Sequence, residues 1–504
     1  MSDVVQEIEA ILDKDADDRR GYDVILQVST GFEKETEEIT QRVVDALRYR
    51  RMIVDPREIL PDLKGLISKS KSNKRLLNAQ KFSLTAQSAL ASKSSGKKIK
   101  TRADKALKKL SQHSALARYY EQRKKQSKSK KVTTEHFWSS GSCRVVLKRD
   151  ELAALRDIEG QLNTVHVNRR LQVPPISKAN LPLNAGDQVA GTWGLQASGA
   201  LAVWGAYQTQ GSGVRVAVLD TGVDATHPDL IGKVAEFAEF DSSGAQIGNQ
   251  PRDSHVHGTH VCGTVAGGNN SGPWIGVAPD AELIVGLVLD GNNGGSDAQV
   301  LAGMDWAINR KAQVINMSLG GLSLNPIVQN TYHQAIVNAL LLGIPVVTAI
   351  GNDGHQTTGL PGADLFAFSV GATDSRDDVA GFSGGRTQVL QSSPFIDPAA
   401  LPLPYSKPEI SAPGVEVLSC VPKGKYDAFN GTSMATPHVA GCIALLLSAT
   451  NGLNQIPPEQ RAFLIQDLLN GSVERRGESG QDHRYGFGRV DILNAISQAR
   501  EQGL

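Results

Sequence analysis

From about Gln188 onward the chain repeats one pattern: a short, almost unbroken apolar run, then a longer stretch with helical spacing. The runs VRVAVLD, ELIVGLVLD, AQVINMSL, IPVVTAIG and FAFSVGATD are interleaved with helical stretches such as AQVLAGMDWAINRKA and NTYHQAIVNALLLG. A strand with one wet face alternates apolar and polar residues, whereas a strand that is apolar throughout must be covered on both faces. The expected fold is α/β: a doubly wound, mainly parallel sheet with helices on both faces. In such sheets reacting groups collect at the carboxyl ends of strands. Asp220 and Asn352 lie at two such ends.

The first 175 residues read differently. YDVILQV (22–28) is a strand pattern and KETEEITQRVVDAL (34–47) an amphipathic helix. VTTEHFW and SCRVVLKR follow as a strand pair, RDELAALRDIEG as a helix and TVHVNRRLQV as a final strand. The order β-α-β-β-α-β is that of a small α+β, ferredoxin-like unit, here interrupted after its first helix by a basic insert. The aperiodic, Pro- and Gly-containing segment from Val173 to Asp187 is a linker. This divides the chain into residues 1–172, a linker over 173–187 and a main unit over 188–504. Within the main unit, QVLQSSPFIDPAALPLPYSK (388–407) is an insertion whose prolines point to a surface loop.

A net charge of +1 conceals a strong asymmetry. Residues 64–131 carry 21 Lys or Arg against only Asp104 and Glu121, leaving 32 basic and 50 acidic residues elsewhere. Ser68 to Lys100 is Lys/Ser-rich, while Thr101 to Lys125 sets Ala103, Leu107, Leu110, Ala117 and Tyr120 near helical spacing. Such a stretch either binds nucleic acid or an acidic partner, or leans on the acidic remainder of its own chain. With no base-reading motif and few aromatics, the second reading is preferred and nucleic acid is not an expected partner. The N-terminus shows no basic segment followed by an apolar one, and no apolar run reaches 18 residues, so a cytoplasmic protein without a membrane partner is expected, leaderless export being left open. Four cysteines without metal-site or CxxC spacing are read as thiols.

Three segments hold the chemistry: LDTGVD at Asp220, HVHGTHVCGTVAG around His257 and NGTSMATPHVAG around Ser433. A serine hydroxyl needs a base to take its proton, and that base needs a carboxylate to fix its tautomer. Asp220 follows a buried strand, His257 opens a Gly-rich helix, and Ser433 precedes a strongly apolar helix whose N-terminus suits developing negative charge. An aspartic dyad would need a second Asp-Thr-Gly or Asp-Ser-Gly, and the chain has none. His255, His257 and His260 lack the glutamate of the H-E-x-x-H zinc pattern.

DTGVDATHPDL, HGTHVCGTVAG, GVAPDAEL, INMSLGG, AIGNDG and GTSMATPHVAG, in that order from about Gln188 to Ala499, resemble the subtilisin-like (subtilase) serine protease family. The resemblance implies a serine endopeptidase acting on protein or peptide substrates, with Asp220 orienting, His257 as base and acid, Ser433 as nucleophile and Asn352 as oxyanion donor. It implies that Ser318, Leu319, Gly320 and Gly321 bind the substrate backbone on one side, with Gly294 and Gly295 on the opposing edge. No cofactor is required for catalysis on this reading. A structural calcium is suggested by Asp229 and by Asn270 in GGNNSGPW, with carbonyls of Gly268, Gly272 and Trp274. The N-terminal region resembles, more loosely, a subtilase pro-domain, which implies a self-inhibited precursor. The rival reading is a non-enzymatic interaction protein that uses the basic insert.

Overall fold

The computed structural model describes residues 3–14, 21–30, 96–121, 136–179 and 190–504, less positions 115, 118, 292–293, 326–327, 329–330, 397 and 479. The helix expected at 34–47 and most of the Lys/Ser-rich stretch lie outside the described residues.

The main unit is built on an eight-stranded sheet. Its spatial order is Ile410–Pro413, Phe368–Thr373, Val346–Ala349, Val314–Met317, Arg215–Asp220, Glu282–Leu287, Val234–Phe240 and Gln246–Gly248. Every pairing is parallel except the last, a short antiparallel edge. The strand Arg215–Asp220 shows why its sequence is apolar throughout. Val216 and Val218 join the core beneath the helices Val256–Ala266 and Thr432–Ala449. Ala217 and Leu219 join the core beneath Asp297–Asn309 and His333–Leu341. Both pleat faces are dry, as the expected α/β architecture requires. By length and composition Thr432–Ala449 would cross a membrane, but 89% of it is buried inside the fold, so it is a core helix.

The N-terminal region forms its own four-stranded antiparallel sheet, in the order His136–Phe137, Ser142–Leu147, Tyr22–Val28, Leu162–Val167. That is the strand order of a split β-α-β arrangement. A helix at Asp3–Lys14, absent from the sequence reading, packs on it through Val4, Ile8, Ile11 and Leu12. The helix of the basic stretch starts earlier than its pattern suggested, at Gly96–Ser111, and buries Ile99, Ala103, Leu107 and Leu110. Leu116 and Tyr119 continue the buried face, while Ala117 is exposed. This part of the basic insert is therefore a structural helix with its lysines turned outward.

Three sequence expectations are corrected by tertiary contacts. TVHVNRRLQV is two strands: Leu162–Val167 completes the small sheet, and Arg170–Leu171 pairs with Gly294–Ser296 of the main unit. Inside the linker, Ser177–Ala179 is a strand paired with Ala428–Asn430. The insertion at 388–407 is no surface loop. Its ends pair as the hairpin Arg386–Leu390 with Leu403–Lys407, and Leu390, Phe395, Ile396, Leu403 and Tyr405 are buried. Even Lys407 is enclosed, its Nζ donating to Ala367 O and held 2.8 Å from Glu409 Oε1.

The small unit docks on the helix face of the main sheet. Phe137 and Trp138 enter the core of Asp297–Asn309 and His333–Leu341, each such burial contributing about 1.5–3 kcal/mol. Asp305 receives the backbone N–H groups of Trp138 (2.7 Å) and Ser139 (2.9 Å), and Asn338 donates to Ser139 O at 2.6 Å.

Candidate active site

Asp220 ends the central strand and has no solvent exposure. Its Oδ1 lies 2.7 Å from Nδ1 of His257, which is equally buried one residue into the helix Val256–Ala266. Two glycines allow this approach. A Cβ on Gly222, whose φ is +111°, would fall 2.0 Å from Arg252 O, and one on Gly258 would fall 2.1 Å from Gly222 O. No other residue brings the strand-end turn and the helix so close.

A second carboxylate braces the same corner. Asp253 accepts hydrogen bonds from Thr221 Oγ1 (2.7 Å), His255 N (3.0 Å), Thr259 N (2.8 Å) and Thr259 Oγ1 (2.5 Å). Thr221 Oγ1 in turn receives the N–H of Gly258 at 2.9 Å. The sequence reading did not single out Asp253; its place four residues before His257 was the available signal. Burial alone would lower the His257 imidazole, but the charge and hydrogen bond of Asp220, helped by the charge of Asp253, raise it above the ordinary histidine value. His255 caps the helix by accepting the N–H of His257. His260 stacks on Phe429 and places Nε2 3.0 Å from Val417 O; burial drives it down to about 3. The three histidines therefore have three different tasks.

Ser433 is the second residue of the helix Thr432–Ala449 and is only 2% exposed. Its hydroxyl donates to Ser318 O at 3.3 Å, and Ser318 Oγ donates to Ser433 O at 2.9 Å. Nε2 of His257 has no hydrogen-bond partner among the described residues. Asn352 stands beside the same helix start. Its Oδ1 accepts from Thr432 N (2.8 Å) and Thr432 Oγ1 (2.9 Å), which fixes the amide so that Nδ2 is the end left to a ligand. Asp353 beside it is exposed.

Part of the N-terminal region pairs with the main unit at the expected substrate edge. Arg170–Leu171 lies antiparallel to the edge at Gly294 and Gly295, with Leu171 opposite Gly295 and Arg170 opposite Ser296. A Cβ on Gly294 would fall 2.1 Å from Leu171 O, and one on Gly321 would lie 3.8 Å from Leu171 Cδ2. Leu319 is buried in the core beneath, Ser318 faces Ser433, and Gly321 pairs with Leu360 in a separate two-stranded sheet. Residues 172–176 then lead to Ser177–Ala179, which pairs with the strand ending at Asn430, three residues before Ser433. Lys178 adds an ion pair to Asp427 at 2.5 Å.

Asp229 and Asn270 do meet, through hydrogen bonds from Asn270 N (2.8 Å) and Nδ2 (2.7 Å) to Asp229 Oδ1. Asn270 thus turns hydrogens, not oxygens, toward the carboxylate, and among the described residues no group of three His, Cys, Asp or Glu is gathered. Calcium takes six or more oxygens, so backbone carbonyls such as those of Gly268, Gly272 and Trp274 would have to supply most of a site here. All four cysteines are buried, and none forms a disulfide.

Comparison with known proteins agrees with the geometry. Residues 211–488 match the family described as the subtilase family. The chain is 38% identical over 287 residues to the intracellular serine protease of Paenibacillus polymyxa, covering 55% of this chain and 79% of that one. It is 40% identical to subtilisin E of Bacillus subtilis (strain 168), covering 56% of this chain and 66% of that one. It is 39% identical to subtilisin of Bacillus pumilus, covering 56% and 91% respectively. The chain belongs to the subtilase family, and it is a subtilisin-like serine endopeptidase with the α/β fold of that family.

Proposed function

We propose that the chain is the self-inhibited precursor of an endopeptidase that works through an acyl-enzyme on Ser433. The observation that carries the catalytic part is the buried contact of 2.7 Å between Asp220 and His257, which leaves Nε2 of His257 without a hydrogen-bond partner among the described residues. Asp220 holds the Nδ1–H tautomer, leaving Nε2 free to accept a proton. The mechanism calls for the Ser433 side chain to turn away from Ser318 O so that its hydroxyl reaches Nε2. The oxygen then adds to the scissile carbonyl carbon as its proton passes to His257. Asn352 Nδ2 and the Ser433 N–H receive the oxyanion. His257 returns the proton to the departing amine, and water repeats the sequence to release the acid.

The inhibitory part rests on the occupied cleft. Residues 170–171 and 177–179 add strands to both sides of it, the mode by which an extended peptide binds. The N-terminal region over 1–172 is read as the intramolecular inhibitor, with processing between Asn168 and Ala197. A cytoplasmic site of action belongs to the same reading, supported by the relative named an intracellular serine protease. Labelling by a fluorophosphonate, abolished by Ser433→Ala, tests the nucleophile. Mass spectrometry of wild type beside Ser433→Ala tests the precursor: the wild type is expected to shorten and the variant to stay whole. If both stay full length while the wild type digests casein, the precursor reading is wrong.

A further inference from the structure

Just before the strand that occupies the cleft, one side chain is held more tightly than inhibition alone explains. Arg169 forms a two-pronged ion pair with Asp297, Nε to Oδ2 at 2.8 Å and Nη2 to Oδ1 at 3.0 Å, and its backbone N–H reaches Oδ2 at 3.0 Å. Asp297 is fully buried at the start of the helix Asp297–Asn309 and also accepts the hydroxyl of Tyr332. Its N–H donates to Arg169 O at 3.2 Å, and the neighbouring Ala298 N–H donates to Asn168 Oδ1 at 3.1 Å. Among the described residues Arg169 is the only cation within ion-pair distance of Asp297.

The register turns this contact into a statement about substrates. Leu171 sits opposite Gly295 as a bound peptide strand would, so Arg169 lies two residues before it, on the same side of the extended chain. The carboxylate belongs to the protease unit, the guanidinium to the segment that must leave. Once that segment leaves, Asp297 is a carboxylate set in a mostly apolar wall, and a planar two-pronged cation is the partner that matches it best. We propose that Asp297, oriented by Tyr332, is a substrate subsite that selects arginine two residues before the side chain seated opposite Gly295. This rests on the occupied cleft being a substrate-like pose, and it adds a specificity that the catalytic residues do not set.

The test uses the full-length protein and internally quenched peptides carrying Asn168–Val173 followed by Ala-Ser, with Arg, Ala or Glu at the place of Arg169. Each enzyme serves as its own control, because the quantity read is the ratio of kcat/KM between peptides. The wild type is expected to favour Arg over Ala by about 10- to 100-fold, the size of a charge-assisted hydrogen-bond pair, mainly through KM, and to disfavour Glu further. Asp297→Asn is expected to bring that ratio toward one and Asp297→Glu to restore part of it. Tyr332→Phe, which keeps the carboxylate, is expected to reduce the ratio less. Turnover with equal rates on all three peptides by the wild type overturns the subsite alone, whatever the variants do. Absence of turnover on every peptide and on casein by protein that mass spectrometry shows to have shortened overturns the catalytic reading and the subsite with it.

Discussion

Asp220 and His257 meet at 2.7 Å with neither side chain exposed to solvent, at the point where the central strand of the sheet faces the first turn of a core helix. The imidazole is therefore tied on one side and unpartnered on the other, since Nε2 has no hydrogen-bond partner among the described residues.

On the proposed mechanism, activity needs His257 neutral. Because its pKa is raised by Asp220, kcat/KM is expected to fall as pH drops through a value above that of an ordinary histidine, about 6.5. Asp220→Asn removes the raising charge, so burial then dominates and the acid limb moves to lower pH. Turnover is expected to fall about 10⁴-fold with it. A pH profile of both proteins checks this; an acid limb that does not move in the variant contradicts the assignment.

On the same mechanism Asn352→Ala removes one oxyanion donor and is expected to lower kcat by about 10²–10³ with little change in KM. Thr432→Val leaves the amide in place but frees it to rotate, since Thr432 Oγ1 is one of its two anchors. That variant is expected to lose less, again in kcat. Steady-state kinetics on one peptide substrate separates the two.

Docking of the N-terminal unit is expected to weaken as pH rises. Burial pushes the Asp305 carboxyl up to about 7, against the hydrogen bonds of Ser139 and Trp138 and the charge of Lys100. Exposed, it would titrate near 4. The docked state thus holds a proton that the separated state gives up. The contribution is full below about 4 and is lost as pH climbs through about 7. Size-exclusion chromatography of the processed protein is expected to show the two fragments together at pH 5 and more separated at pH 8. Asp305→Asn is expected to flatten that difference.

What could be read from the residues followed local rules. The strand ending at Asp220 and the helix after Ser433 were visible because their apolar runs are long and their flanking glycines are close in the chain. The Asn168–Arg169 break was not visible, because it depends on Asp297 and Ala298, far along the chain, taking the two side chains. Ser177–Ala179 likewise becomes a strand only because Ala428–Asn430 offers it an edge. The prolines of 388–407 suggested solvent, yet Phe395 and Tyr405 decide the outcome by burial. Asp253 escaped notice because its role lies in four hydrogen bonds to a helix start and a turn, of which its place four residues before His257 is the one trace in the sequence.

The peptide from Gln172 to Ile176 ties two docked strands into one molecule. While it is whole, the segment at Arg170–Leu171, the inhibitor on the proposed reading, re-binds at an effective concentration set by a short tether, on the millimolar scale. One cut within it frees the N-terminal half to leave, while Ser177–Ala179 stays joined to the main unit, and re-capture then depends on how much released fragment is present. Dilution, which has no effect on the intact chain, would thereafter act as a switch toward activity.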